Sequence, residues 1–209
     1  MDRNAERVWH WRDVWARRKL EDVSWFQKRP EVSLDLIARS RLASHDPVID
    51  VGGGASRLAV DLRAGGHTDV TVLDIAPEAL AAARTEAGPD AWHIAWIAAD
   101  ILSWRPQRRY ALWHDRAVFH FLTEAADRER YVEVMAAAIA PGGQAIMATF
   151  APDGPDHCSG LPVQRHDAQS LLEALGPRFV IDETLREEHR TPTGVVQHFC
   201  WSLVSMKSS

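Results

Sequence analysis

The chain has 209 residues, 46% of them apolar and 25% charged, the balance of an ordinary globular protein and not of a disordered or fibrous one. That length suits one α/β domain with a well-filled core and is short for two, so residues 1–209 are read as a single domain. The net charge of −5 argues against a nucleic-acid binder, and no apolar run approaches the ~20 residues that a membrane helix needs.

The chain opens on MDRNAERVWHWRDVW, charged and aromatic and unlike a signal peptide, so a cytoplasmic location is expected. Four of the nine tryptophans, Trp9, Trp11, Trp15 and Trp25, fall before residue 26, and residues 1–30 are read as a lid that closes over a site. The basic clusters at 17–19 and 105–109 read as solvated surface.

Apolar β-rich runs then alternate with helical ones, the pattern of a parallel sheet wrapped by helices. Residues 47–52 predict a first strand, followed by a helix that starts near Ser56 and ends at Gly65. Residues 69–75 predict a second strand, and Pro77, at a first helical position, opens a helix that ends at Gly88. Strands three and four follow at 93–100 and 110–115. Thr123 is expected to cap the next helix, which Pro141, Gly142 and Gly143 stop.

Strand five spans 144–150, and the segment 151–166 breaks too often to be a regular element. It is expected to be a substrate loop at the C-terminal end of a strand, where open parallel sheets take their ligands. Asp167 can cap a helix through Leu175, and the last two runs, joined by a turn at 191–194, can only form an antiparallel hairpin. The expected fold is a Rossmann-like, doubly wound, seven-stranded sheet with an antiparallel seventh strand and an N-terminal helical lid.

The stretch VIDVGGGASRL, residues 48–58, limits what that sheet binds. A dinucleotide fingerprint with Gly52 and Gly54 as its first glycines would need glycine or alanine at Arg57, and the pattern fails there. Asp50, two residues before Gly52, would repel a diphosphate and suits a cation. Asp74, at the end of strand two, can accept both hydroxyls of a ribose. Asp100, at the end of strand three, is spaced to receive an exocyclic adenine amine, with Ile75 and Ile101 as apolar faces for the ring. Together these describe a nucleoside without phosphates.

The D-x-G-x-G loop at 50–54, the acidic end of strand two and AADI at 98–101 resemble the class I S-adenosylmethionine-dependent methyltransferases. The resemblance implies that cofactor, the seven-stranded fold and methyl transfer. WRDVWARRKLEDVSWFQKRP, the run after strand four and SGLPV at 159–163 look like the thiopurine S-methyltransferase branch and its bacterial relatives. By that likeness Trp11, Trp15 and Phe26 enclose the cofactor and Arg116 lies beside the acceptor. The chain departs from the branch at Ala117, where glycine is common.

Methyl transfer from a sulfonium needs an aligned nucleophile more than a universal base. Asp115, at the tip of strand four, is expected near the transferring methyl, with capping of the next segment as its other reading. Arg116 either holds an anionic acceptor or neutralises Asp115, and His120 is either a general base or a packed side chain. His157 and Cys158 lack a third ligand at metal-binding spacing and read as ordinary loop residues, and no metal is expected. Cys200 reads as a small core hydrophobe.

The expected substrate is a small molecule, preferentially a thiol, sulfide or related chalcogen compound, in an apolar pocket lined by Trp25, Phe26, Phe119 and Phe121. A protein lysine N-methyltransferase is the alternative, since DRAVFH at 115–120 also looks like a segment of some seven-strand lysine enzymes. A cofactor-binding regulatory protein without catalysis is the third. The oligomeric state is open.

Overall fold

The computed structural model describes residues 3–18 and 20–207; of the basic cluster at 17–19, Lys19 lies outside them, and Arg17 and Arg18 are exposed. Helix α1 (Arg3–Arg17) is followed by a short turn and α2 (Glu31–Arg39). Then come β1 (Val48–Val51), α3 (Leu58–Ala64), β2 (Val70–Asp74), α4 (Pro77–Ala87), β3 (Ile94–Ala98) and β4 (Tyr110–Arg116). Helix α5 (Ala125–Ala138) leads into β5 (Ile139–Phe150), the small strands β6 (His157–Cys158) and β7 (Leu161–Pro162), and α6 (Ala168–Leu175). The hairpin of β8 (Phe179–Arg190) and β9 (Val196–Met206) ends the chain.

Seven strands form one sheet in the order β3-β2-β1-β4-β5-β9-β8. The first five pair in parallel, and β9 runs antiparallel to both β5 and β8. The expected architecture is therefore present, including the antiparallel last strand and the N-terminal helix.

Both faces of the sheet are covered. Ile49, Val51, Trp113 and Met147 pack with Tyr131 and Met135 of α5 and Leu171 and Leu175 of α6. Val48, Val70, Val72, Leu112 and Ile146 pack on the other face with Leu36, Leu58, Leu62 and Leu80 of α2, α3 and α4. Strand alternation sends successive residues to opposite faces, so these near-continuous apolar runs fill two cores. Among the described residues no helix is long and apolar enough to cross a membrane.

Local chemistry sets most boundaries. Pro77 starts α4 and Gly88, at φ +55°, ends it. Asp167 and Ser170 form a reciprocal capping box at α6. Three expectations are corrected. Thr123 is not a cap, because α5 starts after Glu124 and no side chain caps it. The same helix ends at Ala138, before Pro141, because β5 begins at once and Ile139 pairs with Tyr110. The 151–166 segment contains a minimal hairpin, His157 opposite Pro162 and Cys158 opposite Leu161.

Candidate active site

The strand ends converge on a cavity with about 910 Å³ of empty space, its solvent-open part included. The ends of β1 and β2 bring Gly52, Asp74 and Ile75 to its wall, and the segment after β3 brings Asp100 and Ile101. The turn after β4 adds Arg116, Ala117 and Val118. From the other side α1 contributes Arg7, Trp11 and Trp15, positions four apart that share one helix face. Trp25 meets both Trp11 and Trp15 edge to face at 5.9 Å, and Trp11 meets Phe121 at 4.9 Å.

A smaller neighbouring cavity lies along the glycine loop, lined by Phe26, Asp50, Gly52, Gly54, Trp15 and Arg116. Gly52 (φ +66°) and Gly54 (φ +36°) hold backbone that L-residues avoid. Space is the second reason for glycine: a Cβ on Gly54 would stand 2.8 Å from Asp74 Oδ2, and one on Gly52 would stand 2.0 Å from Val118 Cγ2. Asp50 is buried under this loop and engaged, with Oδ1 2.7 Å from His114 Nδ1, while His114 Nε2 lies 3.0 Å from Ser33 Oγ. A neutral imidazole donating from Nδ1 to the carboxylate and accepting the serine proton at Nε2 satisfies this chain.

At the tip of β2, Asp74 is buried with one oxygen accepting the Ala76 N–H at 2.8 Å. Burial, reinforced by the nearby Asp50 charge, pushes its carboxyl up to about 7. Asp100 is also buried, and its Oδ2 accepts from Arg7 Nη2 at 2.6 Å, with Oδ1 accepting the Leu102 N–H at 3.0 Å.

Arg116 lines both cavities. Its Nη1 donates to the Trp25 carbonyl at 3.0 Å and its guanidinium carbon lies 4.9 Å from the Phe199 ring centre. Nε and Nη2 are buried and, among the described residues, unpartnered. Burial pulls its pKa down. Two buried donor nitrogens without acceptors mark where a ligand anion gains most.

Asp115 corrects an expectation. It is fully buried and lines neither cavity; its carboxylate accepts the N–H groups of Val118 (2.7 Å) and Phe119 (3.1 Å) and the Tyr131 hydroxyl. Burial raises its pKa to about 6 despite those donors. The capping reading describes this geometry, and Asp115 is not paired with Arg116. The reason lies in the next residue: Ala117 sits at φ +72°, the glycine-like conformation, and the tight turn it makes presents two N–H groups to Asp115.

His120 also departs from expectation, for its ring is fully buried, lies outside both cavities and packs against Phe121 and Phe150. Burial, with the charge of Arg116, lowers its pKa to about 3, so the ring stays neutral and a poor proton acceptor. Of the four expected pocket aromatics, Trp25 and Phe121 line the main cavity and Phe26 the smaller one, whereas Phe119 is core, edge to face with Tyr131 at 5.1 Å.

Cys158 and Cys200 exchange roles relative to expectation. Cys158 is buried at the cavity wall, where burial raises its thiol to about 11, while Cys200 is only half-buried on β9. His157 is exposed beside Asp156. Sequence reasoning also missed Arg7, Gln197 and Phe199. Only Arg7 left a usable signal, standing four residues before Trp11 on the face of α1 already picked out by the tryptophans.

Residues 48–143 match the family model described as a methyltransferase domain. No curated protein sequence matches the chain. Among solved structures it is similar to one concerned with conversion of a disulfide bond into a thioacetal group during echinomycin biosynthesis (19% identity, TM-score 0.72, covering 96% of this chain and 93% of that one). It is also similar to N-methyltransferase NodS from Bradyrhizobium japonicum in complex with S-adenosylhomocysteine (18%, TM-score 0.71, 93% and 97%). An S-adenosylmethionine-dependent methyltransferase from Anabaena variabilis gives 15% identity and TM-score 0.75 over 99% and 96%.

The sheet order and the methyltransferase domain in 48–143 define the class I methyltransferase architecture. The chain is an S-adenosylmethionine-dependent methyltransferase, and S-adenosylmethionine is its cofactor.

Proposed function

We propose that this enzyme methylates a small-molecule nucleophile held in the main cavity beside Arg116, preferentially a thiol, sulfide or related chalcogen compound. The observation that carries the reading is Arg116, a guanidinium with two buried, unpartnered nitrogens on an aromatic wall. When bound, S-adenosylmethionine supplies a methyl group on a sulfonium for in-line transfer to the acceptor's lone pair.

The residues of this chain do the rest by position. Asp74 accepts the ribose hydroxyls, Asp100 the adenine amine, and Ile75 and Ile101 flank the ring. Trp11, Trp15 and Phe26 give aromatic faces to the positive sulfur, each worth ~0.5–2 kcal/mol, and exclude water. Residues 1–30 act as the lid and 151–166 as the substrate loop, the latter presenting Cys158 to the cavity. Asp50, Gly52 and Gly54 shape the smaller cavity for the methionine end.

His120 and Asp115 lie outside the cavity walls, so a base is not what the site offers; Arg116 offers stabilisation of negative charge. A soft nucleophile that ionises readily, or a sulfide that carries no proton, suits that provision. The echinomycin-related structure concerns sulfur chemistry, in support of a chalcogen acceptor, and the likeness of the 11–30 and 113–135 stretches to the thiopurine branch points the same way. NodS is an N-methyltransferase, which makes a small amine the competing acceptor.

The test is incubation of the pure enzyme with methyl-labelled S-adenosylmethionine, a panel of thiols, sulfides and amines, and separately a cell lysate. Label in extractable products, fastest with thiols or sulfides, is the expected result. Label confined to protein bands would overturn the small-molecule reading in favour of lysine methylation, and exclusive turnover of amines would overturn the chalcogen preference.

A further inference from the structure

Asp74 and Asp100 are both buried carboxylates on the wall of one cavity, yet they are held differently. Asp74 meets backbone N–H groups and is pushed up to about 7 by burial, the usual fate of a buried carboxyl that lacks a cation. Asp100 has the guanidinium of Arg7 at 2.6 Å, and the same arginine reaches Asp127 at 3.7 Å. The Asp100 side chain is 5% exposed and that of Arg7 20%, so solvent screens the pair little.

We propose that Arg7 is a positioning residue that sets the base selectivity of the cofactor subsite: it holds Asp100 as an acceptor only, so that the subsite takes a purine with an exocyclic amine and rejects one with a carbonyl there. The inference rests on the reading that Asp100 faces the adenine amine. An ionised carboxylate accepts and never donates, whereas a protonated one can turn its O–H toward a carbonyl. A carbonyl facing the ionised form sets two acceptors against each other with nothing between them, the strongest form of rejection a polar pocket has. Because Arg7 belongs to α1, selectivity for the base then depends on that helix being docked.

Calorimetry on the full chain with S-adenosylhomocysteine and with S-inosylhomocysteine tests this. The native enzyme is expected to prefer the adenine compound by roughly 10- to 100-fold, the span of a charged hydrogen bond gained or lost. Arg7→Met should compress that preference to less than about threefold, while Arg7→Lys, which keeps a cation, should retain most of it. If Arg7→Met weakens both compounds equally and leaves their ratio intact, Arg7 is a lid contact alone and the proposal is overturned. Asp100→Asn separates the two layers. A preference abolished by Asp100→Asn but untouched by Arg7→Met overturns only the role of Arg7, whereas a preference that survives Asp100→Asn removes the adenine assignment beneath it.

Discussion

The tips of β2 and β4 each end in a buried aspartate, and the two have opposite fates. Asp74 accepts the Ala76 N–H, with the Gly54 and Ile75 N–H groups also acting on it, and still lines the cavity. Asp115 gives both oxygens to the turn that follows it, with the Tyr131 hydroxyl as a third donor, and lines neither of the two cavities. The same residue type at the same place in the fold is thus a cavity-facing group in one case and a structural cap in the other. The difference is made by what surrounds each: the Ala117 turn and the Tyr131 hydroxyl hold Asp115 in the core, whereas the donors on Asp74 are backbone N–H groups at the strand end.

Mutating the pair puts the contrast under its heaviest load. Asp115→Ala strands two backbone N–H groups and a phenol in the core, at about 1–3 kcal/mol each, so unfolding free energy should fall by about 3 kcal/mol or more. Urea denaturation would measure it, and Asp115→Asn, whose amide oxygen still accepts, should lose less. Asp74→Ala should leave the urea midpoint nearly in place and weaken S-adenosylhomocysteine by about 1.5–3 kcal/mol, the worth of hydrogen bonds to a charged group. A stable Asp115→Ala protein with impaired cofactor binding would reverse the assignment of the two aspartates.

Proton linkage sharpens the comparison. In the free enzyme Asp74 keeps its proton up to about pH 7, and it must be ionised to accept two ribose hydroxyls. Cofactor binding below that pH therefore releases a proton, so affinity should weaken roughly tenfold per pH unit below about 7 and level off above it. Asp74→Asn should abolish the slope and Asp115→Asn should preserve it. Titration calorimetry in buffers of different ionisation enthalpy reads the released proton directly.

The parts of the fold visible in sequence were those with local chemistry. Strand and helix alternation, Pro77, Gly88 and the Asp167 cap are decided within a few residues, and the hairpin follows from the shortness of the 191–194 turn. The Asp50 to Gly54 spacing, Asp74 and Asp100 are legible for the same reason, since each is fixed by the end of a predicted strand. What stayed hidden depends on contacts between distant segments. The third donor on Asp115, the Tyr131 hydroxyl, comes from sixteen residues on. The fate of Asp100 is settled by Arg7, ninety-three residues before it. Phe199 reaches the cavity because β9 returns beside β5.

The aromatic wall separates the N-terminal helix from the strand tips as a source of affinity. Trp11→Ala should weaken S-adenosylmethionine by ~0.5–2 kcal/mol, the span of cation–π contacts, and weaken an uncharged thioether such as methylthioadenosine less. Equal losses for both compounds, measured by calorimetry, would reduce the tryptophan to shape alone.

The smallest effect belongs to Ala117, whose φ of +72° carries the turn that claims Asp115. An L-residue in the left-handed region costs roughly 1–2 kcal/mol, and glycine there escapes that cost but adds freedom to the unfolded chain. The net gain for Ala117→Gly is about 0.5 kcal/mol, a rise of roughly 1–2 °C in the melting temperature for a chain of this size. The substitution tests the account of Asp115 from the other side. If the turn is what commits that carboxylate, relaxing the turn should keep Asp115 buried and leave the pH slope of cofactor binding, which belongs to Asp74, where it was. A melting temperature that falls would mean that the Ala117 methyl, packed against the core, contributes more than its backbone costs.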